Sequence, residues 1–303
     1  MGICEGRVVA ITGAGRGLGR AYALAFARAG ASVVVNDLGV GVDGSGGGAR
    51  VADEVVAEIE SEGGSAVADS SDVATTDGAA ALVGTAVQSY GRLDVVVCNA
   101  GTYAVDWLWD TSVETWDSLM RVHLRGLFCP ADAAVQHWRA RSGAGEPVDG
   151  RLICITSQSG LFAAPASAAY DTAKAGVAGF VLVAADELAR FGVTVNGVAP
   201  RATTRMTRLA LERRSQLEVS GAVDGGAVAP SREPVPEDVA PFLVWLGSME
   251  SREVTGRIFT VTANRITLIR PWSNGPSAHS DKPLAPADVG DAVRGLLGSD
   301  TRA

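Results

Sequence analysis

Tyr170 and Lys174 stand four positions apart in a segment of helical spacing, which puts their side chains on one face, one turn apart. A free phenol, with a pKa of about 10, is a poor base at neutral pH, but nearby positive charge favours the phenolate. The Lys174 ammonium supplies such charge, so the pair can exchange a proton with an alcohol or carbonyl oxygen. Ser157, at the end of a predicted strand, can donate a hydrogen bond to the same oxygen and stabilise charge that develops there during hydride transfer. Tyrosine and lysine four apart are also common on solvated helices, so the pair alone is weak.

A carrier for the hydride is suggested near the start of the chain. The strand Val8–Thr12 runs into Thr12-Gly13-Ala14-Gly15-Arg16-Gly17-Leu18-Gly19 and then into the helix-forming run Ala21–Arg28. Glycines permit a tight turn and close backbone approach, while free N–H groups and the helix dipole stabilise a pyrophosphate. The spacing of Gly13, Gly17 and Gly19 departs from G-x-G-x-x-G, and a plain strand-to-helix connection explains the turn taken alone. Asp37, twenty positions after Gly17 at the end of the second strand, can accept hydrogen bonds from ribose hydroxyls and would repel a 2′-phosphate. Arg16 argues the other way, as a basic partner for that phosphate. The acid carries more weight: NAD(H) is the expected cofactor, with NADP(H) left open. Asp72-Val73 and Asn99-Ala100-Gly101 follow the third and fourth strands, at the carboxyl ends where ligands collect in such sheets.

Positioning these groups takes a regular alternation of strand and helix. Runs rich in Val and Ile predict strands at Val8–Thr12, Ser32–Asn36, Ser65–Ala68, Leu93–Cys98, Arg151–Thr156, Val193–Val198 and Arg257–Val261, separated by segments of helical apolar spacing. Their near-continuous hydrophobicity suits a sheet covered on both faces. The expected fold is α/β, a doubly wound seven-stranded parallel sheet of Rossmann type. It forms a single domain over residues 1–263, followed by a C-terminal extension over 264–303. A glycine-rich insertion at Gly39–Gly48 and a polar loop at Ser142–Gly150 are expected at the surface.

Composition narrows the function classes. The 303 residues are 47% hydrophobic and 20% charged, the balance of an ordinary globular protein. A formal net charge of −8 gives no general reason to approach nucleic acid or an anionic membrane. The chain enters its first strand without a leader-like apolar core, and no apolar stretch reads as membrane-spanning. Its four cysteines, Cys4, Cys98, Cys129 and Cys154, show neither metal spacing nor a disulfide framework, so no metal is expected and a reducing cytoplasm is the default.

The order of these motifs resembles the short-chain dehydrogenase/reductase family: Gly13-x3-Gly17-x-Gly19, Asn99-Ala100-Gly101, Ser157, Tyr170-x3-Lys174 and Pro200, over roughly residues 5–262. The resemblance implies that Tyr170 is the general acid/base, that Lys174 lowers its pKa and holds the nicotinamide ribose, and that Ser157 positions the substrate oxygen. It also implies cofactor contacts from Leu18, Val122, Ala202 and Thr204, besides the residues already named, with Thr204 meeting the nicotinamide carboxamide. Homodimers or homotetramers are expected by the same resemblance. Cys98, Arg201 and Thr262-Ala263-Asn264 depart from the usual family residues.

A narrower similarity rests on Val35-Asn36-Asp37-Leu38-Gly39, the insertion after it, Val122-His123-Leu124-Arg125-Gly126 and the sequence from Ser248 onward. It points to the dehydrogenase domain of peroxisomal multifunctional enzymes and their bacterial relatives, which act on 3-hydroxyacyl-CoA thioesters or hydroxysteroids. His123 takes the place of the family's water-anchoring Asn and is an expected catalytic residue, although a satisfied helix histidine gives the same sequence. Tyr103, Trp107, Trp109 and Trp116 suggest aromatic walls for a bulky apolar small molecule, with Trp109 and Trp116 equally readable as core anchors. Against that, Arg201, Arg205, Arg208, Arg213 and Arg214 can pair with CoA phosphates or form a solvated face. The leading expectation is a bulky, largely apolar ketone or secondary alcohol; the alternative is a 3-hydroxyacyl thioester. In the extension, Ile266, Leu268 and Ile269 form an apolar run, and Val289, Val293, Leu296 and Leu297 share a helix face that is expected to pack on the pocket or a neighbouring subunit.

Overall fold

The computed structural model describes residues 2–41, 43–47, 50–219, 232–263, 265–270, 272–283 and 285–299. Asn264 and part of the glycine-rich insertion therefore lie outside the described residues. The chain forms two compact units, residues 1–269 and 270–303.

The first unit opens with β1 (Val8–Thr12), α1 (Gly17–Arg28), β2 (Ser32–Asn36), α2 (Val51–Ser61), β3 (Ser65–Asp69), α3 (Thr76–Tyr90) and β4 (Val95–Cys98). It continues with α4 (Val113–Met120), α5 (Gly126–Gly143), β5 (Gly150–Ile155), α6 (Gln158–Phe162), α7 (Ala168–Leu188), β6 (Val193–Arg201), α8 (Arg205–Gln216), α9 (Ala240–Gly247), β7 (Arg257–Thr262) and β8 (Arg265–Ile269). The strand order is β3-β2-β1-β4-β5-β6-β7-β8. The first seven strands are parallel, as the sequence predicts.

The eighth strand corrects the expected count. Ile266 and Leu268, assigned by sequence to the extension, lie in β8, which pairs antiparallel with β7 in the register Phe259↔Leu268 and Val261↔Ile266. Thr262 pairs with Arg265, and an antiparallel edge strand whose side chains are mostly exposed shows little pattern in sequence. The second unit contains α10 (Pro286–Ser299), whose Val289, Val293 and Leu297 are exposed.

Burial explains why the central strands carry no polar alternation. One side chain set of the sheet, including Val9, Ile11, Val33, Val35, Val95 and Val97, packs with Tyr22, Phe26 and Leu243 from α1 and α9. The other, including Ala10, Val34, Val96, Leu152 and Val195, packs with Leu82, Trp138, Val177 and Val181 from α3, α5 and α7. Trp138 is 1% exposed, and its indole N–H donates to Leu93 O at 2.8 Å, so a large ring is buried without a stranded polar group. Truncating it to Ala would cost roughly 3–5 kcal/mol. Contrary to the sequence reading, Ala168–Phe191 is long and apolar enough by composition to cross a membrane. Here Ala169, Ala173, Val177, Val181 and Ala184 of that helix are buried in the core.

The order of strands reverses between β1 and β4, so their connections leave in opposite directions and open a crevice beyond the carboxyl ends. The glycine turn after β1, Asn99-Ala100-Gly101 after β4 and Ser157 after β5 all open there.

Candidate active site

A cavity of about 800 Å³ opens at this crevice, and every residue expected from sequence to be catalytic or to hold the cofactor lines it. Gly13, Arg16, Gly17, Leu18, Gly19, Asp37, Asp72 and Val73 form one end; Asn99, Ala100, Gly101, Val122, Pro200, Ala202 and Thr204 line it as well, together with His123, Ser157, Tyr170 and Lys174.

The nucleotide end is built from backbone. Gly13 has φ +64, and a Cβ there would lie 2.8 Å from Ala100 Cα; a Cβ on Gly19 would lie 2.2 Å from Gly13 O. Only glycine permits both the left-handed turn and this packing. Asn99 clamps the turn by donating its Nδ2 to Thr12 O (2.9 Å) and Gly13 O (3.1 Å). Thr12 Oγ1 in return accepts from the N–H groups of Asn99 (2.9 Å) and Ala100 (3.0 Å). Thr12 was not singled out from sequence, where a buried strand threonine carries no signal. Asp37 accepts from Gly15 N (2.9 Å) and Gly39 N (2.8 Å), which fixes its carboxylate between turn and insertion. Asp72 accepts from Ala74 N (3.0 Å) and pairs with Arg121.

These residues fit a dinucleotide. Arg16, at the N-cap of α1, provides no side-chain cap, so the first-turn N–H groups are left for an anion. Asp37 retains acceptor capacity for ribose hydroxyls. The Arg16 guanidinium donates to Val40 O at 3.1 Å and is tied to the insertion.

At the other end, β5 and α7 bring the reacting groups together. Ser157 caps α6, accepting from Ser159 N at 3.3 Å, with its Oγ 3.1 Å from Ser159 Oγ. Either hydroxyl can donate in that contact; when Ser159 does, Ser157 keeps its own hydrogen to donate into the cavity. Lys174 is 5% exposed; its Nζ donates to Ile155 O at 2.7 Å and lies 5.8 Å from the Tyr170 ring centroid. Tyr103 meets the Tyr170 ring edge-on at 4.4 Å. His123 meets it at 5.1 Å.

Electrostatics differ from the simple pairing expected from spacing. Burial raises the Tyr170 hydroxyl well above the ordinary phenol value, Tyr103 adds to this, and the Ser157 hydrogen bond opposes it. Burial lowers Lys174 to about 8, with the Cys154 and Cys98 thiols opposing. The four-residue spacing therefore does not by itself yield a lowered phenol, because burial dominates. Tyr170 stands as a neutral phenol holding a transferable proton.

His123 sits in a π-helical turn, Arg121–Arg125, and is 3% exposed. Its Nε2 lies 2.8 Å from Thr102 O; a carbonyl only accepts, so Nε2 carries the hydrogen and Nδ1 is a bare acceptor. Nδ1 is buried without a protein partner. Burial, reinforced by Lys174, pushes the ring well below the usual histidine value, which favours the neutral form. In that form Nδ1 can accept a hydrogen bond.

The aromatic segment behaves differently from its sequence reading. Of its rings only Tyr103 lines the main cavity. Trp107 and Trp109 stack on each other at 5.1 Å, and Trp109 is 76% exposed, so it is neither a pocket wall nor a core anchor. Trp116 is also exposed. Residues the sequence reading missed include Ser159 and Asp171, whose Oδ2 accepts from Ala164 N at 2.8 Å. Ser159, two positions after Ser157, was recoverable from the local strand-to-helix geometry.

The fold and the cavity at its strand ends point to an oxidoreductase. The short chain dehydrogenase family matches residues 7–217, and the chain belongs to that family. The hydroxyacyl-CoA dehydrogenase ChsB1 of Mycobacterium tuberculosis is 39% identical over 272 residues, covering 88% of this chain and 80% of that one. Peroxisomal multifunctional enzyme type 2 of Mus musculus is 39% identical over 290 residues; 95% of this chain matches 36% of that longer protein. A crystal structure of a short chain dehydrogenase from Mycobacterium avium superposes with a TM-score of 0.83 at 44% identity, covering 98% of this chain and 96% of that one.

Proposed function

We propose that the protein interconverts 3-hydroxyacyl and 3-ketoacyl thioesters using NAD(H). The observation that carries this reading is the 39% identity to a hydroxyacyl-CoA dehydrogenase over 88% of the chain. It displaces the bulky apolar ketone as the leading reading. The retreat of Trp107, Trp109 and Trp116 from the cavity removes the aromatic walls on which that ketone depended.

Bound nicotinamide supplies or accepts the hydride; the chain's own residues handle the oxygen and its proton. Ser157 donates to the substrate oxygen and holds it beside Tyr170. During reduction the Tyr170 hydroxyl gives its proton to that oxygen, and the raised pKa keeps this proton in place until the oxygen becomes basic. During oxidation the phenol must lose its proton first, and positive charge from Lys174 and oxidised nicotinamide favours that loss. His123 Nδ1 is free to accept a hydrogen bond near Tyr170 and acts by positioning. Asp37, held toward the cavity by Gly15 and Gly39, supports NAD(H) over NADP(H). Phe128 on α5 and Val183 on α7 are 56% and 59% exposed, which supports a homodimer or homotetramer covering these faces.

The test is a steady-state panel of 3-ketoacyl-CoA thioesters, hydroxysteroid ketones and simple ketones, each with NADH and with NADPH. Highest kcat/KM for a thioester with NADH is expected. A steroid or simple ketone preferred over every thioester would overturn the reading.

A further inference from the structure

Helix α8 presents Thr207, Ala210, Leu211 and Arg214 along one face to the cavity that holds Tyr170. It has no fully buried residue, so apolar packing alone does not hold it in place. Two adjacent arginines near its end do different work. Arg213 donates its Nε to Val105 O (3.3 Å) and its Nη2 to Asp106 (3.0 Å). It lines a smaller neighbouring cavity and does not line the main one. Its charge is paired and its task is anchorage.

Arg214 faces inward. Nη1 donates to Pro165 O at 2.8 Å and lies 3.4 Å from Ser167 Oγ, the hydroxyl that also sits 3.4 Å from Tyr103 Oη. These contacts fix the guanidinium just beyond the Tyr103 ring, on the substrate side of Tyr170. Its Nη2 is buried and has no hydrogen-bond partner. Among the described residues, no carboxylate forms an ion pair with it. A buried donor on a charged group is costly to leave unmade, and a guanidinium already fixed through its other nitrogen is preorganised to donate. Around it the cavity is lined by Tyr103, Ala210, Leu211 and Ala164, and among the described residues no atom accepts from Nη2, so a ligand in the cavity can supply the acceptor.

We propose that Arg214 selects for a thioester arm: its free Nη2–H donates to a carbonyl oxygen of that arm while Ser157 and Tyr170 hold the oxygen at the reacting carbon. The inference rests on the thioester reading above. It makes Arg214 a specificity-determining residue and leaves the proton chemistry where it was. The carbonyl belongs either to the thioester itself or to the first amide of the pantetheine chain, and both present the same neutral acceptor.

Three substrates of equal acyl length separate these sources: a ketone lacking the thioester, the S-ethyl thioester and the N-acetylcysteamine thioester, each reduced with NADH. Wild type should favour the two thioesters. Arg214→Gln should lose roughly ten- to hundredfold in kcat/KM on the thioester that carries the read carbonyl, mostly through KM, and keep its rate on the ketone. A loss on both thioesters assigns the thioester carbonyl; a loss on the N-acetylcysteamine compound alone assigns the amide. Arg213→Gln, which loosens the same helix from outside the cavity, should change all three substrates by one common factor. If both variants lower all three equally while wild type prefers thioesters, Arg214 is only an anchor and the inference falls. A wild type that reduces the ketone and neither thioester removes the thioester reading itself.

Discussion

The two ends of the cavity are built by different means. At the nucleotide end, one short segment, Thr12–Gly19, makes the turn, and Asn99 and Thr12 lock it through four hydrogen bonds to and from backbone. At the reacting end, Ser157, Tyr170, His123, Tyr103 and Arg214 arrive from separate elements and touch through side chains. Backbone geometry tolerates almost no substitution but asks little of side-chain identity elsewhere. A side-chain constellation can change specificity by single replacements while its frame stays intact.

Replacing a reacting side chain should bring the largest loss and leave the nucleotide end untouched. Tyr170→Phe removes the transferable proton and should lower kcat by about 10²–10⁴. NADH affinity, measured by fluorescence titration, should stay within about twofold of wild type. Equal losses in turnover and affinity would show that the two ends are not separable in this way.

Gly13→Ala attacks the opposite end. The added Cβ, at φ +64 and 2.8 Å from Ala100 Cα, meets the Ala100 backbone and the Asn99 side chain. A stability loss of about 1–3 kcal/mol is expected from the strained residue and the forced shift. NADH binding should weaken by an order of magnitude or more. Thermal unfolding and titration check it, and an unchanged midpoint would mean that the turn is softer than its packing implies.

The buried Lys174 offers a pH test that belongs to the reacting end alone. Its folded value of about 8 lies below the 10.5 of an ordinary lysine, so between these values the unfolded chain binds more protons. Stability from this group therefore rises with pH from about 8 toward 10.5, at up to about 1.4 kcal/mol per pH unit. The raised Cys98, Cys154 and Tyr170 groups act in the opposite sense once their unfolded counterparts ionise. The difference between wild type and Lys174→Met isolates the lysine contribution. Denaturant unfolding at pH 8 and pH 10 should show that difference moving in favour of wild type at the higher pH. A difference independent of pH would place the lysine in water.

Asp37→Ala should have the smallest effect, because it changes the choice of cofactor rather than the reaction. The ratio of kcat/KM for NADH to that for NADPH should fall by about tenfold as repulsion of the 2′-phosphate disappears. No change in that ratio would mean that Asp37 serves only to hold Gly15 and Gly39.

The same contrast decides what was legible in the sequence. Gly13, Gly17, Gly19, Asp37 and Asn99 could be read because a turn that needs positive φ and close approach leaves its mark in contiguous residues. Seven strands were legible because double-sided burial erases polar alternation. β8 was not, since most of its side chains are exposed and it is recognised only by its pairing with β7. Ser157, Tyr170 and Lys174 were recognisable through order and spacing. The free Nη2 of Arg214 and the bare His123 Nδ1 were not, because both follow from contacts between residues far apart in the chain. The tryptophans misled for the same reason: composition names large rings but does not say which way they face.

Product analysis with NADH deuterated at both C4 positions tests the central assignment most directly. Wild-type protein would be incubated with a 3-ketoacyl-CoA and this cofactor, and the product analysed by mass spectrometry after thioester cleavage. Interconversion at the reacting carbon requires one deuterium on C3 of a 3-hydroxyacyl product, carrying a hydroxyl whose proton came through Tyr170, and no such product from Tyr170→Phe above its residual rate. Absence of the 3-hydroxyacyl product from wild type, or deuterium at any other carbon, would contradict the proposed reaction.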